Sequence, residues 1–194
     1  MLADYTALNG NDKAKELFLR ARRERTFGDR VLKVNHAGEF GAICIYSGQL
    51  LVARFTAPKL VPELVEFREH EKSHRAIFWA ELQRRGLPRC RSYYFCGLGG
   101  YVLGVITGLL GYQAIMATTV AVERVVLGHL EHQVQVLQGK DVAALGAVEN
   151  IIKEEKDHHD RSAAKLQSDA LWLQILTPVV ACSTEVVIWL GMKL

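Results

Sequence analysis

The stretch Lys153-Glu-Glu-Lys-Asp-His-His-Asp160 sets Glu155 three residues ahead of His158, and the earlier His70-Glu-Lys-Ser-His74 repeats that spacing with Glu71 and His74. Each pair has a further glutamate 32 residues upstream, Glu39 before Glu71 and Glu123 before Glu155. The second trio is therefore the first displaced by 84 positions. On a helix, a glutamate and a histidine three apart are neighbours on one face and can reach a common point.

Working outward in steps of three and four, all six residues fall on the apolar seams of four helices. Asp29 is the expected N-cap of the first, whose seam is His36, Glu39, Ile43, Tyr46, Leu50 and Ala53, ending at Thr56-Ala57-Pro58. The second carries Leu64, Phe67, Glu71, His74, Phe78 and Leu82 and stops near Gly86-Leu87-Pro88. A third carries Val120, Glu123, Leu127, Leu130, Val134 and Leu137 and turns at Gly139-Lys140-Asp141; the fourth carries Val148, Ile151, Glu155, His158, Ser162 and Leu166. In an antiparallel hairpin, residues equally far from the turn sit level. The midpoint of 39 and 71 is Phe55 and that of 123 and 155 is Gly139, both beside chain breakers. Each lone glutamate thus faces its own Glu-x-x-His pair across a hairpin.

Off-seam charges such as Lys72, Arg75, Lys153 and Lys156 can reach water, but four carboxylates on seams cannot. Buried without partners they would be costly, and metal cations are the natural compensation. Two helices each giving a Glu and two each giving Glu-x-x-His form the bundle template that binds two iron or manganese ions. Mixed carboxylate and imidazole donors suit those metals better than calcium, and the lack of cysteine ligands argues against a structural zinc.

The bulk composition agrees with an all-α domain. The chain has 194 residues, 49% hydrophobic and 23% charged, with four prolines and a net charge of +3. That is enough chain for one real core, and too little charge to argue for nucleic acid. Cys44, Cys90, Cys96 and Cys182 lack metal-knuckle spacing and read as reduced thiols. Residues 1–30 mix Arg20, Arg22, Arg23 and Arg25 with Asp12, Glu16, Glu24 and Asp29, and do not read as a secretory signal or a transit peptide. The expected division is a charged extension over 1–28 and a bundle domain over 29–194.

Several further side chains stand near these seams. His36 precedes Glu39 by one turn, as a donor to it or as a structural histidine. His129 and His132 follow Glu123, lining a pocket or facing solvent, and Tyr46 points along the seam of Glu39. Glu154 and Asp157 can orient a ligand imidazole from outside the cluster.

Tyr93 to Leu110 is an uncharged run of 18 residues, at the lower bound for spanning a bilayer, with Gly100, Gly104 and Gly108 as a face for close helix packing. The crossover between helices two and three must run the length of the bundle. An element half buried in protein and half in the membrane interface satisfies both demands. The tail after Leu171, with Trp172 and Trp189 and a break expected at Thr177-Pro178, reads as a second membrane-facing element. A buried core or an oligomer contact is the plainer reading of both segments.

Val34-Asn-His-Ala-Gly-Glu-Phe-Gly-Ala42, Glu71-Lys-Ser-His74, Thr119-Val-Ala-Val-Glu123 and Glu155-Lys-Asp-His-His-Asp160 resemble the demethoxyubiquinone hydroxylases of ubiquinone biosynthesis, from about Asp29 to the C-terminus. The resemblance implies a ferritin-like bundle with an apolar crossover and additional C-terminal helices. It implies a di-iron centre in which Glu39 and His74 serve one iron, Glu123 and His158 the other, and Glu71 and Glu155 bridge. Some members carry a tyrosine seven residues after the third-helix glutamate, where this chain has Leu130.

The implied activity is an O2-dependent monooxygenase acting on a polyprenylated demethoxyubiquinol. An electron donor (NADH or a reductase) and other ubiquinone-biosynthesis proteins are the implied partners. The implied location is peripheral, on the cytoplasmic face of a bacterial inner membrane or the matrix face of the mitochondrial one. Two readings from other classes are a ferritin-type iron store or ferroxidase, and a membrane-associated scaffold with a vestigial site.

Overall fold

The computed structural model describes residues 26–166 and 171–193. The Arg-rich patch of residues 20–25 lies outside the described residues, as does the side chain of Trp172. Among the described residues every regular element is helical: α1 Phe27–Thr56, α2 Val61–Arg84, α3 Tyr93–Leu109, α4 Tyr112–Leu137, α5 Val142–Ala163 and α6 Leu171–Lys193. The helices α1, α2, α4 and α5 are the two hairpins of an all-α, ferritin-like bundle.

The hairpin turns fall where the midpoints put them. A short 3-10 turn, Pro58–Leu60, joins α1 to α2, and Gly139 at φ +70° turns α4 into α5. On α2 the whole seam, Leu64, Phe67, Glu71, His74, Phe78 and Leu82, is buried; in the other seams Leu50, Leu127, Val134 and Leu166 are half-buried and the rest is buried. The core forms two apolar clusters. One gathers Leu32, Phe78, Leu82, Leu137, Val148 and Ile151; the other gathers Tyr46, Leu60, Leu64, Phe67, Ile115 and Met116. On α1, α2 and α4 the seam glutamates and histidines lie between residues of these two clusters, and on α5 Glu155 and His158 follow Ile151 of the first.

Three helix limits differ from those expected. Thr26, not Asp29, caps α1: its Oγ1 accepts from the Asp29 N–H and its own N–H donates to Asp29 Oδ2, so Asp29 completes a capping box. Second, α4 starts eight residues before Val120. Gly111 at φ +88° ends the apolar run, and Tyr112 opens the next helix. Third, α6 runs through Pro178 without a break, giving one described C-terminal helix where more than one was expected. Its Ser183 and Thr184 hydroxyls both donate to Val180 O, at 2.8 and 2.9 Å.

The crossover helix α3 lies along α1 at backbone contact. A Cβ on Gly100 would stand 2.3 Å from Gly41 O, and one on Gly104 2.1 Å from Ile45 O. Between them, Gln49 Nε2 donates to Thr107 Oγ1 at 3.2 Å. The outer face of α3 is apolar and open, with Tyr94 and Phe95 more than 70% exposed and Leu98, Val102, Ile106 and Leu109 following. At 17 residues α3 is about 25 Å long, short of the ~30 Å hydrocarbon core of a bilayer. By length and composition alone, Gln174–Lys193 within α6 could cross one.

Arg85 ties the open end of the bundle together. Its guanidinium reaches Asp29 of α1 at 2.9 Å, Glu81 of α2 at 2.7 Å and Asp141 at 2.8 Å. Asp141 also caps α5 by accepting from the Ala144 N–H, and Gly28 leaves room for its carboxylate beside α1.

Candidate metal centre

The six repeated residues converge. Glu39, Glu71, His74, Glu123, Glu155 and His158 are each 5% exposed or less. They fall into two overlapping sets of four, Glu39–Glu71–His74–Glu155 and Glu71–Glu123–Glu155–His158, whose donor atoms lie within 4.8 Å of one another in each set. Glu71 and Glu155 belong to both.

Both imidazoles turn Nδ1 inward. His74 Nδ1 stands 2.9 Å from Glu155 Oε1, 3.7 Å from Glu39 Oε2 and 3.8 Å from Glu71 Oε2; His158 Nδ1 stands 3.2 Å from Glu71 Oε1 and 3.8 Å from Glu155 Oε2. These approaches lack hydrogen-bond geometry. His74 Nδ1, His158 Nδ1 and Glu71 Oε1 are buried donor atoms without a hydrogen-bond partner. A bound cation would satisfy them, whereas an apolar core would leave them orphaned.

The electrostatics point the same way. Burial, reinforced by the neighbouring carboxylates, raises the Glu39 and Glu123 carboxyls well above the usual range. Glu71 is also buried, but the nearby imidazoles of His158 and His74 outweigh that and hold it low. Burial alone would lower His74, yet Glu155, Glu39 and Glu71 together push it far up. The cluster without a metal therefore holds protons where positive charge is wanted. Two divalent cations would balance four carboxylates and displace those protons.

Outside the cluster the two imidazoles are held differently. With a cation on Nδ1, the ring proton sits on Nε2. His74 Nε2 donates to Glu154 Oε2 at 2.8 Å, while His158 Nε2 donates to His70 Nδ1 at 3.0 Å. Glu154 therefore holds the His74 imidazole from outside the cluster. Asp157 does not; it pairs with Arg161 at 3.1 Å. The sequence reading missed His70. Its position one turn before His74 and beside Glu71 was the available signal.

The remaining candidates resolve individually. Tyr46 donates its hydroxyl to Glu123 Oε1 at 3.2 Å, and burial followed by the charge of Glu123 raises its pKa. His36 has no hydrogen-bond partner at Nδ1. It stacks between Trp79 and Tyr93, ring centres 5.1 and 4.9 Å away, and burial with Arg75 and Arg89 lowers its pKa to about 4. His129 Nε2 pairs with Glu185 at 2.9 Å, joining α4 to α6, and its side chain lines the cavity described next; His132 is exposed. His159 turns outward to Asp160 at 3.0 Å.

A cavity of about 390 Å³ opens onto the cluster. Glu39, Glu71, Glu123 and Glu155 line it, and its walls are otherwise mainly apolar side chains of α1, α3, α4 and α6, including Ile45, Leu103, Ile106, Val122 and Val187. Its size suits a ring with part of a hydrocarbon tail.

A helical bundle that buries two overlapping carboxylate–imidazole quartets, with an apolar cavity above them, defines a ferritin-like protein with a candidate two-metal site. Residues 26–191 match the family model described as Ubiquinone biosynthesis protein COQ7, and the chain belongs to that family. It is 33% identical over 174 residues to the "NADPH-dependent 3-demethoxyubiquinone 3-hydroxylase, mitochondrial" of Dictyostelium discoideum, covering 88% of this chain and 79% of that one. It is 31% identical over 170 residues to the Bos taurus protein of the same name, covering 86% and 77%. A bacterial relative, the "3-demethoxyubiquinol 3-hydroxylase" of Rhodospirillum rubrum, is 30% identical over 164 residues, covering 84% and 76%.

Proposed function

We propose that the chain is a di-iron monooxygenase that hydroxylates the ring of a polyprenylated demethoxyubiquinol, drawing electrons from a reduced nicotinamide or a reductase. The observation that carries this reading is the buried cluster: six donor residues in two quartets sharing Glu71 and Glu155, opening onto a cavity sized for a tailed ring. The sharing supports bridging roles for Glu71 and Glu155, with Glu39 and His74 on one metal and Glu123 and His158 on the other. Iron bound there would supply the activation of O2 and the oxidising power for the ring.

The chain's own residues supply placement. Tyr46 holds one oxygen of Glu123, and Glu154 and His70 hold the two imidazoles in the tautomer that presents Nδ1. The apolar walls exclude water and accept the start of the prenyl tail. The open faces of α3 and α6 would lie in the membrane interface, keeping the cavity within reach of a substrate dissolved in lipid. That gives a peripheral protein of a bacterial inner membrane or of the mitochondrial inner membrane. On this reading the catalytic bundle begins with α1 at Phe27, two residues before the boundary expected at Asp29. A ferritin-type store fits less well, since a soluble cage has no use for an apolar outer helix.

Metal analysis of anaerobically reconstituted protein tests the reading. Wild type should hold two irons per chain, and Glu155→Ala should lose both affinity and hydroxylation of demethoxyubiquinol in a lipid extract. Full iron content with full activity in that variant would end the assignment.

A further inference from the structure

The carboxylates at the base of the cavity belong to the candidate metal cluster, so a substrate ring must be oriented by the cavity's neutral polar groups. Most of these are committed elsewhere. Ser183 and Thr184 spend their protons on Val180 O of their own helix, and His129 Nε2 is engaged by Glu185. Cys96 offers only a thiol, a weak donor.

Asn35 is different. It lines the cavity, and its side-chain amide is held in plane by a reciprocal pair of bonds. Asn35 Nδ2 donates to Gln133 Oε1 at 2.8 Å, and Gln133 Nε2 donates back to Asn35 Oδ1 at 3.2 Å. Gln133, on α4, is 4% exposed and does not line the cavity, so it serves as the fixed half of the pair. An amide carries two N–H donors and two lone pairs. The pair uses one of each on Asn35, leaving one N–H and one lone pair. Asn35 also stands four residues before Glu39 on the same face of α1, about 6 Å along the axis. That separation matches a single six-membered ring lying between the amide and the cluster.

We propose that Asn35, fixed by Gln133, is the substrate-binding group for a ring oxygen of the quinone or quinol, and that it sets which ring carbon faces the cluster. Its N–H serves the carbonyl of the oxidised ring and its oxygen serves the hydroxyl of the reduced ring. Both redox forms thereby find a partner on one side chain. This assignment rests on the reading of the cavity as a quinol site.

The experiment measures binding of a decyl-tailed benzoquinone, its quinol and a ring-oxygen-free decylbenzene to full-length iron-loaded protein in detergent, by equilibrium dialysis. Asn35→Leu should weaken both quinone and quinol by about tenfold, the scale of one well-placed hydrogen bond, while leaving decylbenzene binding and iron content unchanged. Asn35→Asp, which keeps the acceptor and removes the donor, should weaken the quinone selectively. It also keeps the test open should the leucine variant fail to fold. If the wild type binds quinone and the asparagine variants bind both forms equally well, the Asn35 assignment is overturned while the cavity reading stands. If the wild type binds neither ring, the quinol reading itself falls.

Discussion

His74 and His158 present the same atom to the cluster but lean on different supports, a carboxylate that is half exposed and an imidazole that is partly buried. Glu154 sets a carboxylate against His74, while His70 sets a second imidazole against His158. The two halves of the site are therefore chemically unequal although the sequence repeats them. Replacing His70 by leucine should loosen the His158 half alone. In a metal titration one of two binding steps should weaken by about 10–100-fold and the other hold. Equal loss in both steps, or none, would remove His70 from the site. The six cluster residues were legible because a buried seam admits charge only for a reason. His70 and the Asn35–Gln133 pair were not, because their partners lie 88 and 98 residues away and no local pattern links them.

The helices were legible to the extent that one face of each is buried. The seams of α1, α2, α4 and α5 and the turns at Pro58 and Gly139 follow from period and breaker alone. The uninterrupted α6 did not, because the sequence alone did not show that its helix continues past Pro178. The start of α4 was hidden inside an apolar run whose helical period is masked when every face is apolar. Gly111, with its positive φ, is what divides it. The α1–α3 contact sharpens the small-residue reading of Gly100, Gly104 and Gly108. Glycine there admits the carbonyls of Gly41 and Ile45 to distances no Cβ tolerates. Gly104→Ala should lower stability by about 2–3 kcal/mol, as overpacking against backbone does. Gly128→Ala on α4, with nothing within 4 Å of the added methyl, should be neutral or stabilise by about 0.5–1 kcal/mol. Chemical denaturation of the two variants checks this. Equal effects would mean that α3 does not depend on backbone contact with α1.

As a whole, the molecule arranges its polarity inside out around one axis. The most charged cluster sits at the centre of the bundle, between two apolar cores, while the uncharged helix α3 stands on the outside with its largest side chains open. The cavity joins these two regions, running from the carboxylates to the walls formed by α3 and α6. A water-soluble substrate would need no such surface; a polyprenylated ring has to be taken from lipid and brought to a dry, charged centre. Transfer of an oxygen atom from O2 to that ring is the chemistry proposed for this centre. Its most direct test is mass spectrometry of the product formed from demethoxyubiquinol in lipid vesicles under isotopically labelled O2, with iron-loaded protein and a reduced nicotinamide supply. One labelled oxygen should appear in the ring hydroxyl, and His158→Ala should give no product. Product carrying oxygen from water, or no hydroxylation by a fully iron-loaded wild type, would contradict that chemistry.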